Sequence, residues 1–300
     1  MELEEKQSKR FLFIVNPISG LGAGKRFPQI VARNKAFKSI PYKIRFTDYS
    51  GHASLITREA LISKRYTHII AVGGDGTVNE VGTALYATDI AFGIISLGSG
   101  NGLARSWGYS IFQHIALNQL LSDVYSHVDV GEINGRYFLN ISGVGYDAEV
   151  AHEFNNYKIR GLISYILAGL KLWSRYHEKD YTINCDGNTF SKRCFILSFA
   201  NSRQYGNNVS IAPKALLTDG FMDICILKRP SFRGILSLLL HFIHPERKKL
   251  KLFEEIKYKE AVIEGDISKV HIDGEAVILN SPIILKVHKG ALKMIVPPLD

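Results

Sequence analysis

Three glycine-rich loops and one Asp-Gly-Glu triplet hold most of the chemistry that this sequence could perform. The sharpest is Gly73-Gly74-Asp75-Gly76-Thr77-Val78-Asn79-Glu80, set between an apolar run, His68–Val72, and a stretch of helical pattern, Thr77–Tyr86. Glycines there let a backbone approach a ligand closely, because no Cβ intervenes. The N-terminus of the helix that follows offers N–H groups and a positive dipole end to a phosphate. A pure anion site has no use for a carboxylate, so Asp75 would meet a cation or accept a proton. The alternative is a tight strand-to-helix turn with Asp75 capping the helix.

A second loop repeats the theme in Ser96-Leu97-Gly98-Ser99-Gly100-Asn101-Gly102-Leu103-Ala104-Arg105. The Ser99 hydroxyl could take a phosphate or a ribose, and Arg105 could balance charge. The alternative is a capping motif with a solvated arginine. Asn16-Pro17-Ile18-Ser19-Gly20 is a third loop after a strand. The run Gly20 to Lys25 has the look of a P-loop but fails its pattern. Arg26 stands where Ser or Thr is required, and Ser19 where the first glycine belongs. Asp273-Gly274-Glu275 reads on its own as a hairpin turn between Lys269–Ile272 and Ala276–Leu279.

The elements around these loops change character along the chain. Arg10–Val15, Tyr42–Thr47, His68–Val72 and Ala91–Leu97 read as strands. They alternate with helical stretches from about Lys25, over Ala53–Lys64, over Thr77–Tyr86 and from near Asn101. Such alternation predicts a doubly wound parallel α/β sheet, and such sheets bind ligands at the carboxyl ends of their strands. Two glycine-rich loops at strand ends of one sheet therefore weigh more than either alone. From near Val128 onward most segments read as strands: Arg136–Ile141, Tyr181–Cys185, Cys194–Ala200, Phe221–Leu227, Val262–Glu264, Lys269–Ile272, Ile283–Val287 and Leu292–Val296. Asp186-Gly187, Asp219-Gly220 and Asp273-Gly274 punctuate them. A mainly antiparallel sandwich or barrel is expected, interrupted by helices over Gly161–Trp173 and Ser231–Ile243. The expected domains are residues 1–128 and 129–300.

Composition bounds the class. The chain has 300 residues, and 46% of them are hydrophobic, enough for a sizeable core. Lys and Arg number 37 against 28 Asp and Glu, a net charge of +9 that suits an anionic partner or is simply a basic surface. No basic stripe with interleaved aromatics supports a nucleic-acid partner. Cys185, Cys194 and Cys225 lack metal-ligand spacing and read as reduced cytosolic thiols. The N-terminal residues MELEEKQSKR contain no apolar core of a secretory signal. Ile235–Ile243 is far shorter than the roughly 20 apolar residues of a spanning helix. The expectation is a cytoplasmic protein that does not cross a membrane.

The ordered motifs resemble a known family. NPxSG, GGDGTVNEV and GSGNGLAR are similar to the catalytic domain shared by diacylglycerol kinases, sphingosine and ceramide kinases and bacterial YegS-type lipid kinases. Gly143-Val144-Gly145-Tyr146-Asp147-Ala148 resembles the family's GxGxDA. Ala212-Pro213-Lys214-Ala215 with Asp219-Gly220-Phe221-Met222-Asp223 resembles APxA…DGxxD, and Asp273-Gly274-Glu275 the late DGE. The resemblance runs from about residue 11 to 296. GGDGT alone also occurs in NAD kinases and phosphofructokinases.

The resemblance implies an NAD-kinase-like nucleotide-binding domain, a C-terminal β-sandwich domain and an active site in the cleft between them. It implies ATP and Mg²⁺, and phosphorylation of a lipid hydroxyl, diacylglycerol to phosphatidic acid, in phospholipid biosynthesis. ATP would contact Asn16, Pro17, Ile18, Ser19, Gly20, Thr47, Gly73, Gly74, Asp75, Gly76, Thr77, Val78, Asn79 and Ser99. Glu275 would be the general base and Asp75 its partner near the phosphates. That fits the chemistry, since the attacking hydroxyl must lose a proton and the phosphoryl oxygens must be neutralised. A further metal would lie at Leu216, Asp219 and Phe221, and Asp147 would meet the lipid headgroup. Ser99 replaces a commoner Thr and keeps the hydroxyl. Gly102 stands where many diacylglycerol kinases have Asp, which is nearer to the sphingosine-kinase loop.

Phe232–Ile243 is apolar, and His244-Pro245-Glu246-Arg247-Lys248-Lys249-Leu250-Lys251 follows with four basic residues. Docking of such a helix on anionic lipid is one expectation, and packing over the β domain is the other. Gly161–Trp173, with Lys158, Arg160 and Lys171, is the second candidate. Peripheral membrane contact is the expected localisation, and a homodimer is left open. The rival functions are a sphingoid-base or ceramide kinase, an NAD kinase, and a non-catalytic lipid or nucleotide sensor.

Overall fold

The structure, a computed structural model, describes residues 8–155, 157, 162–207, 209–231 and 252–298. The expected helix over Ser231–Ile243 and the basic cluster that follows it lie outside the described residues, apart from Ser231 itself. The chain divides into two compact units. One comprises Met1–Gly98, Trp107–Ser126 and Leu292–Asp300, and the other Ser99–Ser106 and His127–Ala291.

The first unit is built on parallel strands β1 (Phe11–Val15), β2 (Tyr42–Phe46), β3 (His68–Gly73) and β4 (Ala91–Ser96), in the order β2-β1-β3-β4. Every residue of β1, β3 and β4 is buried. That is why they read as unbroken apolar runs: helices cover both faces of such a sheet. Strand β2 lies at the edge and is largely exposed. Met294, near the end of the chain, adds a parallel pairing to Phe92 beyond β4. Phe11, Phe13, Phe27 and Phe37 interlock beside β1.

Register matters most here. Val15 stands opposite both Phe46 and Val72, and Gly73 opposite Ser96. All the strands therefore end at one level. The ladder continues one residue into each loop, with Asn16 N–H bonded to Val72 O, Thr47 N–H to Val15 O and Leu97 N–H to Gly73 O at 2.8–2.9 Å. The loops after the strands leave from one edge of the sheet, as the alternation of elements predicts.

The second unit is a sandwich. One layer runs β9 (Asn188–Cys194), β8 (Lys179–Cys185), β15 (Glu260–Gly265) and β18 (Ile283–Ile295), with β5 (Tyr125–Ile133) beside β18 and β6 (Arg136–Phe138) beside β5. The other runs β14 (Phe253–Tyr258), β13 (Met222–Leu227), β10 (Ile196–Ala200), β7 (Ile141–Gly145), β16 (Lys269–Ile272) and β17 (Glu275–Ile278), all antiparallel, and β11 (Gln204–Gly206) pairs separately with β12 (Val209–Ser210). Ile183, Ile263 and Leu285 from the first layer meet Val144, Leu197, Phe199, Ile224 and Val270 from the second in one buried core.

Several elements differ from the sequence reading. Ile283–Val287 and Leu292–Val296 are one strand, with Gly290 at φ 59 between them. Strands Asn188–Cys194 and Phe253–Tyr258 and helix Tyr146–Phe154 lie where no element is expected. The two strands are edge strands, half exposed and rich in charge, so they carry no clean alternation.

Candidate active site

In the first unit the Gly73–Asn79 loop is a strand-to-helix turn, and the helix starts at once, over Asp75–Ala84. Gly74 is the N-cap and Asp75 the first helical residue, so Asp75 does not cap the helix. A glycine N-cap has no side chain of its own to accept the first helical N–H groups. A helix end of this kind presents N–H groups that have no intrahelical acceptor. Gly73 is required by packing: a Cβ there would lie 2.6 Å from Thr77 Oγ1. At Gly74 a Cβ would meet nothing closer than Gly98 Cα at 3.6 Å, so that side is open.

The Asn16–Gly20 loop lies at the same edge. Asn16 Oδ1 accepts the Ile18 N–H at 3.1 Å, fixing the turn. Gly20 takes φ 62, and a Cβ on it would stand 2.7 Å from Leu97 O. Only glycine lets this loop lie so close to the loop after β4. Thr47 is buried one residue past β2. Glu80 is structural: its carboxylate accepts the Gly51 N–H at 2.8 Å and the Ala53 N–H at 3.0 Å, holding the start of helix His52–Ser63.

The second unit carries the other residues. Ser99 is exposed, and the helix that follows it is short, Gly102–Trp107. Gly102 fits against Asn140 Nδ2, which a Cβ would approach to 2.4 Å. Any larger residue there needs a different neighbour, a physical reason for the departure at this position. Arg105 Nε is buried and has no hydrogen-bond partner.

Asp273 and Gly274 take φ 48 and 86, a left-handed two-residue turn between β16 and β17. Asp273 faces back into the fold, accepting the Leu139 N–H at 2.8 Å and the Asn140 N–H at 2.9 Å. Glu275 is exposed, directly after this anchored turn. The turn and the presentation of a carboxylate are therefore both true of Asp273-Gly274-Glu275.

Asp147 lies in the first turn of helix Tyr146–Phe154, which opens from Gly145 at φ 105. Its side chain is buried, and Oδ2 accepts from Tyr205 OH at 2.8 Å, His271 Nε2 at 3.0 Å and Ser198 Oγ at 3.1 Å. His271 Nδ1 is buried without a hydrogen-bond partner. Gly143 makes room: its Cβ would stand 3.0 Å from Asp147 Oδ2 and 2.9 Å from Leu197 O.

The Asp219 turn is held from below. Asp129, fully buried, accepts the Gly220 N–H and the Gly290 N–H, each at 2.7 Å. Burial raises its carboxyl despite those amides. Asp219 Oδ1 accepts the Phe221 N–H at 3.0 Å, and Oδ2 is paired with the Lys257 ammonium. Asp223 is buried with neither carboxylate oxygen hydrogen-bonded. Burial, with Glu255 nearby, pushes it up to about 7.

Comparison with known proteins fits this arrangement. Residues 10–133 match the model of the diacylglycerol kinase catalytic domain, and residues 140–296 that of the YegS C-terminal NAD kinase β sandwich-like domain. The chain belongs to the diacylglycerol kinase and YegS-like lipid kinase family. It is 29% identical over 276 residues to a protein of Bacillus subtilis named diacylglycerol kinase, covering 89% of this chain and 90% of that one. It is 31% identical over 216 residues to a YegS-like lipid kinase of Pseudomonas aeruginosa, covering 70% of each. A solved structure of a diacylglycerol kinase from Bacillus anthracis str. Sterne shares the fold at TM-score 0.74 and 23% identity, over 98% of this chain and 99% of that one.

A lipid kinase of this family needs ATP and a divalent metal, and the two metal positions differ in fit. Asp75 would offer a hard oxygen donor in the first turn of a helix, a donor type that suits a divalent ion. The Asp219 carboxylate already carries an ammonium and an amide, so the Leu216, Asp219 and Phe221 position does not fit a divalent ion. Among the described residues no group of three His, Cys, Asp or Glu is placed to hold a metal.

Sequence reasoning missed His271, Tyr205, Ser198, Asp129 and Lys257. None stands in a glycine-rich motif, and only pairing between strands brings them to Asp147 or to the Asp219 turn. The three cysteines are buried and unbridged, and burial raises all three thiols.

Proposed function

We propose that this lipid kinase transfers the γ-phosphoryl group of ATP to the free hydroxyl of diacylglycerol, giving phosphatidic acid. The observation that carries the reading is Asp75 as the first residue of a helix whose N-cap is a glycine, at the carboxyl edge of a parallel sheet. ATP phosphates lie on the Gly73–Asn79 and Asn16–Gly20 loops, with Thr47 as a further contact. Mg²⁺ held by Asp75 and the phosphates would neutralise charge on the transferred group. Glu275, exposed after the turn that Asp273 anchors, takes the proton of the lipid hydroxyl.

The engaged state of Asp147 favours diacylglycerol over a sphingoid base. An amino lipid calls for an acceptor, and Asp147 Oδ2 already serves three donors in a buried site. Binding at the surface of a bilayer completes the reading. Leu167 and Leu170 of helix Leu162–Trp173 are 50% and 68% exposed and would enter the headgroup layer. Among the described residues no helix is long and apolar enough to cross a membrane.

Labelled ATP with Mg²⁺ and mixed micelles of diacylglycerol, sphingosine or ceramide tests this. Label should enter diacylglycerol and fall about 10²–10⁴-fold in Glu275→Ala. Label in a sphingoid lipid instead would replace the substrate. Full activity in Glu275→Ala would remove the base.

A further inference from the structure

We infer that the Lys257 ammonium is the resident cation of the Asp219 turn and takes the place of a divalent metal ion there. The turn has the oxygen-rich character of a cation site. Asp219 points one carboxylate oxygen at its own Phe221 amide, 3.0 Å away, and leaves the other for a positive partner. Lys257 fills that role from edge strand β14. The ladder fixes its origin, because Lys257 stands directly opposite Asp223 on β13. Its ammonium also lies 5.9 Å from the centre of the Phe221 ring, and Lys259 covers the same ring at 4.9 Å.

The surroundings explain why a cation is needed. Asp223 is 1% exposed, and both its oxygens lack hydrogen-bond partners. Glu255, two residues before Lys257 on the same strand, has a side chain only 8% exposed and meets Lys214 at 3.9 Å. Asp129 lies beneath, held by the Gly220 and Gly290 amides. Carboxylates thus converge on the turn from β5, β13, β14 and the loop itself. Buried charges persist only with partners. A metal at Asp219 would meet the ammonium at contact distance, and like charges so close repel strongly. One site does not hold both.

The inference is independent of the proposed substrate and can be tested without nucleotide or lipid. Mn²⁺ binding to the nucleotide-free full chain, followed by electron paramagnetic resonance, should reveal no site that depends on Asp219. The wild-type melting temperature should be the same in EDTA and in about 10 mM Mg²⁺. Lys257→Met should melt lower in EDTA and recover by about 5 °C in Mg²⁺, because the vacated Asp219 carboxylate then accepts the ion. A saturable Mn²⁺ site in the wild type that Asp219→Asn abolishes would overturn the inference. So would a Lys257→Met protein that folds yet ignores both ions. If that variant fails to fold, the wild-type and Asp219→Asn binding curves decide alone.

Discussion

Asp147 Oδ2 and His271 Nε2 meet at 3.0 Å in a site where both side chains are almost fully buried. Their elements are far apart in sequence, a helix start at residue 147 and a strand at residue 271. The contact therefore locks helix Tyr146–Phe154 to β16. Without His271, Asp147 keeps the Ser198 and Tyr205 hydroxyls but loses one of its three donors, at a cost of about 1–3 kcal/mol. His271→Ala should lose that much stability in urea unfolding. Asp147→Asn should lose less, since an amide oxygen still accepts one donor. Equal, small losses would show that the pair contributes little.

Asp273 would position Glu275 rather than react. Its carboxylate spans two consecutive amides, Leu139 and Asn140, and so fixes the turn from which Glu275 emerges. Asp273→Asn keeps the size but sets an amide N–H against a backbone N–H. We expect a fall in kcat of about tenfold or more with KM for ATP unchanged, and a stability loss of about 1–3 kcal/mol. Steady-state kinetics beside urea unfolding would separate the two effects. Unchanged kcat would leave Asp273 a purely structural clamp.

Most of the sheet in the first unit was legible in the sequence, because β1, β3 and β4 are buried on both faces and read as apolar runs. The Asp-Gly turns were equally legible, since Asp186-Gly187 and Asp273-Gly274 adopt the left-handed pairs that such dipeptides favour. Edge strands such as Asn188–Cys194 were not, because half of their side chains answer to solvent. The loop residues Asp75 and Glu275 could be picked out by motif. Their supports could not, since Asp273 finds Leu139 and Asp147 finds His271 only through pairing across well over a hundred residues. Lys257 is hidden for the same reason: nothing beside it in sequence announces a role at Asp219.

Glu80 belongs to the glycine-rich motif yet faces away from its chemistry. Two charge-assisted bonds to the Gly51 and Ala53 amides tie the motif's helix to the start of its neighbour. Glu80→Ala should cost about 1.5–3 kcal/mol and loosen helix His52–Ser63. Hydrogen exchange would show faster amides in the first turn of that helix. Glu80→Gln should recover part of the loss, because its amide oxygen accepts one of the two bonds. An Ala variant as stable as the wild type would contradict the capping role.

His68 makes the first unit sensitive to acid. It is buried at the start of β3, between the Thr67 hydroxyl at Nδ1 and the Tyr125 hydroxyl at Nε2. Burial, and then the charges of Lys9 and Lys293, bring it down from 6.5 to about 4. The unfolded chain thus binds a proton at a pH where the folded chain does not. The neutral ring's contribution is fully present above about 6.5 and is lost as pH falls from there to about 4. The loss is on the order of 2–3 kcal/mol. His68→Asn should flatten that part of the stability curve relative to the wild type. Urea unfolding of both proteins at several pH values between 7 and 4 measures the difference, and parallel curves would assign the acid sensitivity to another group.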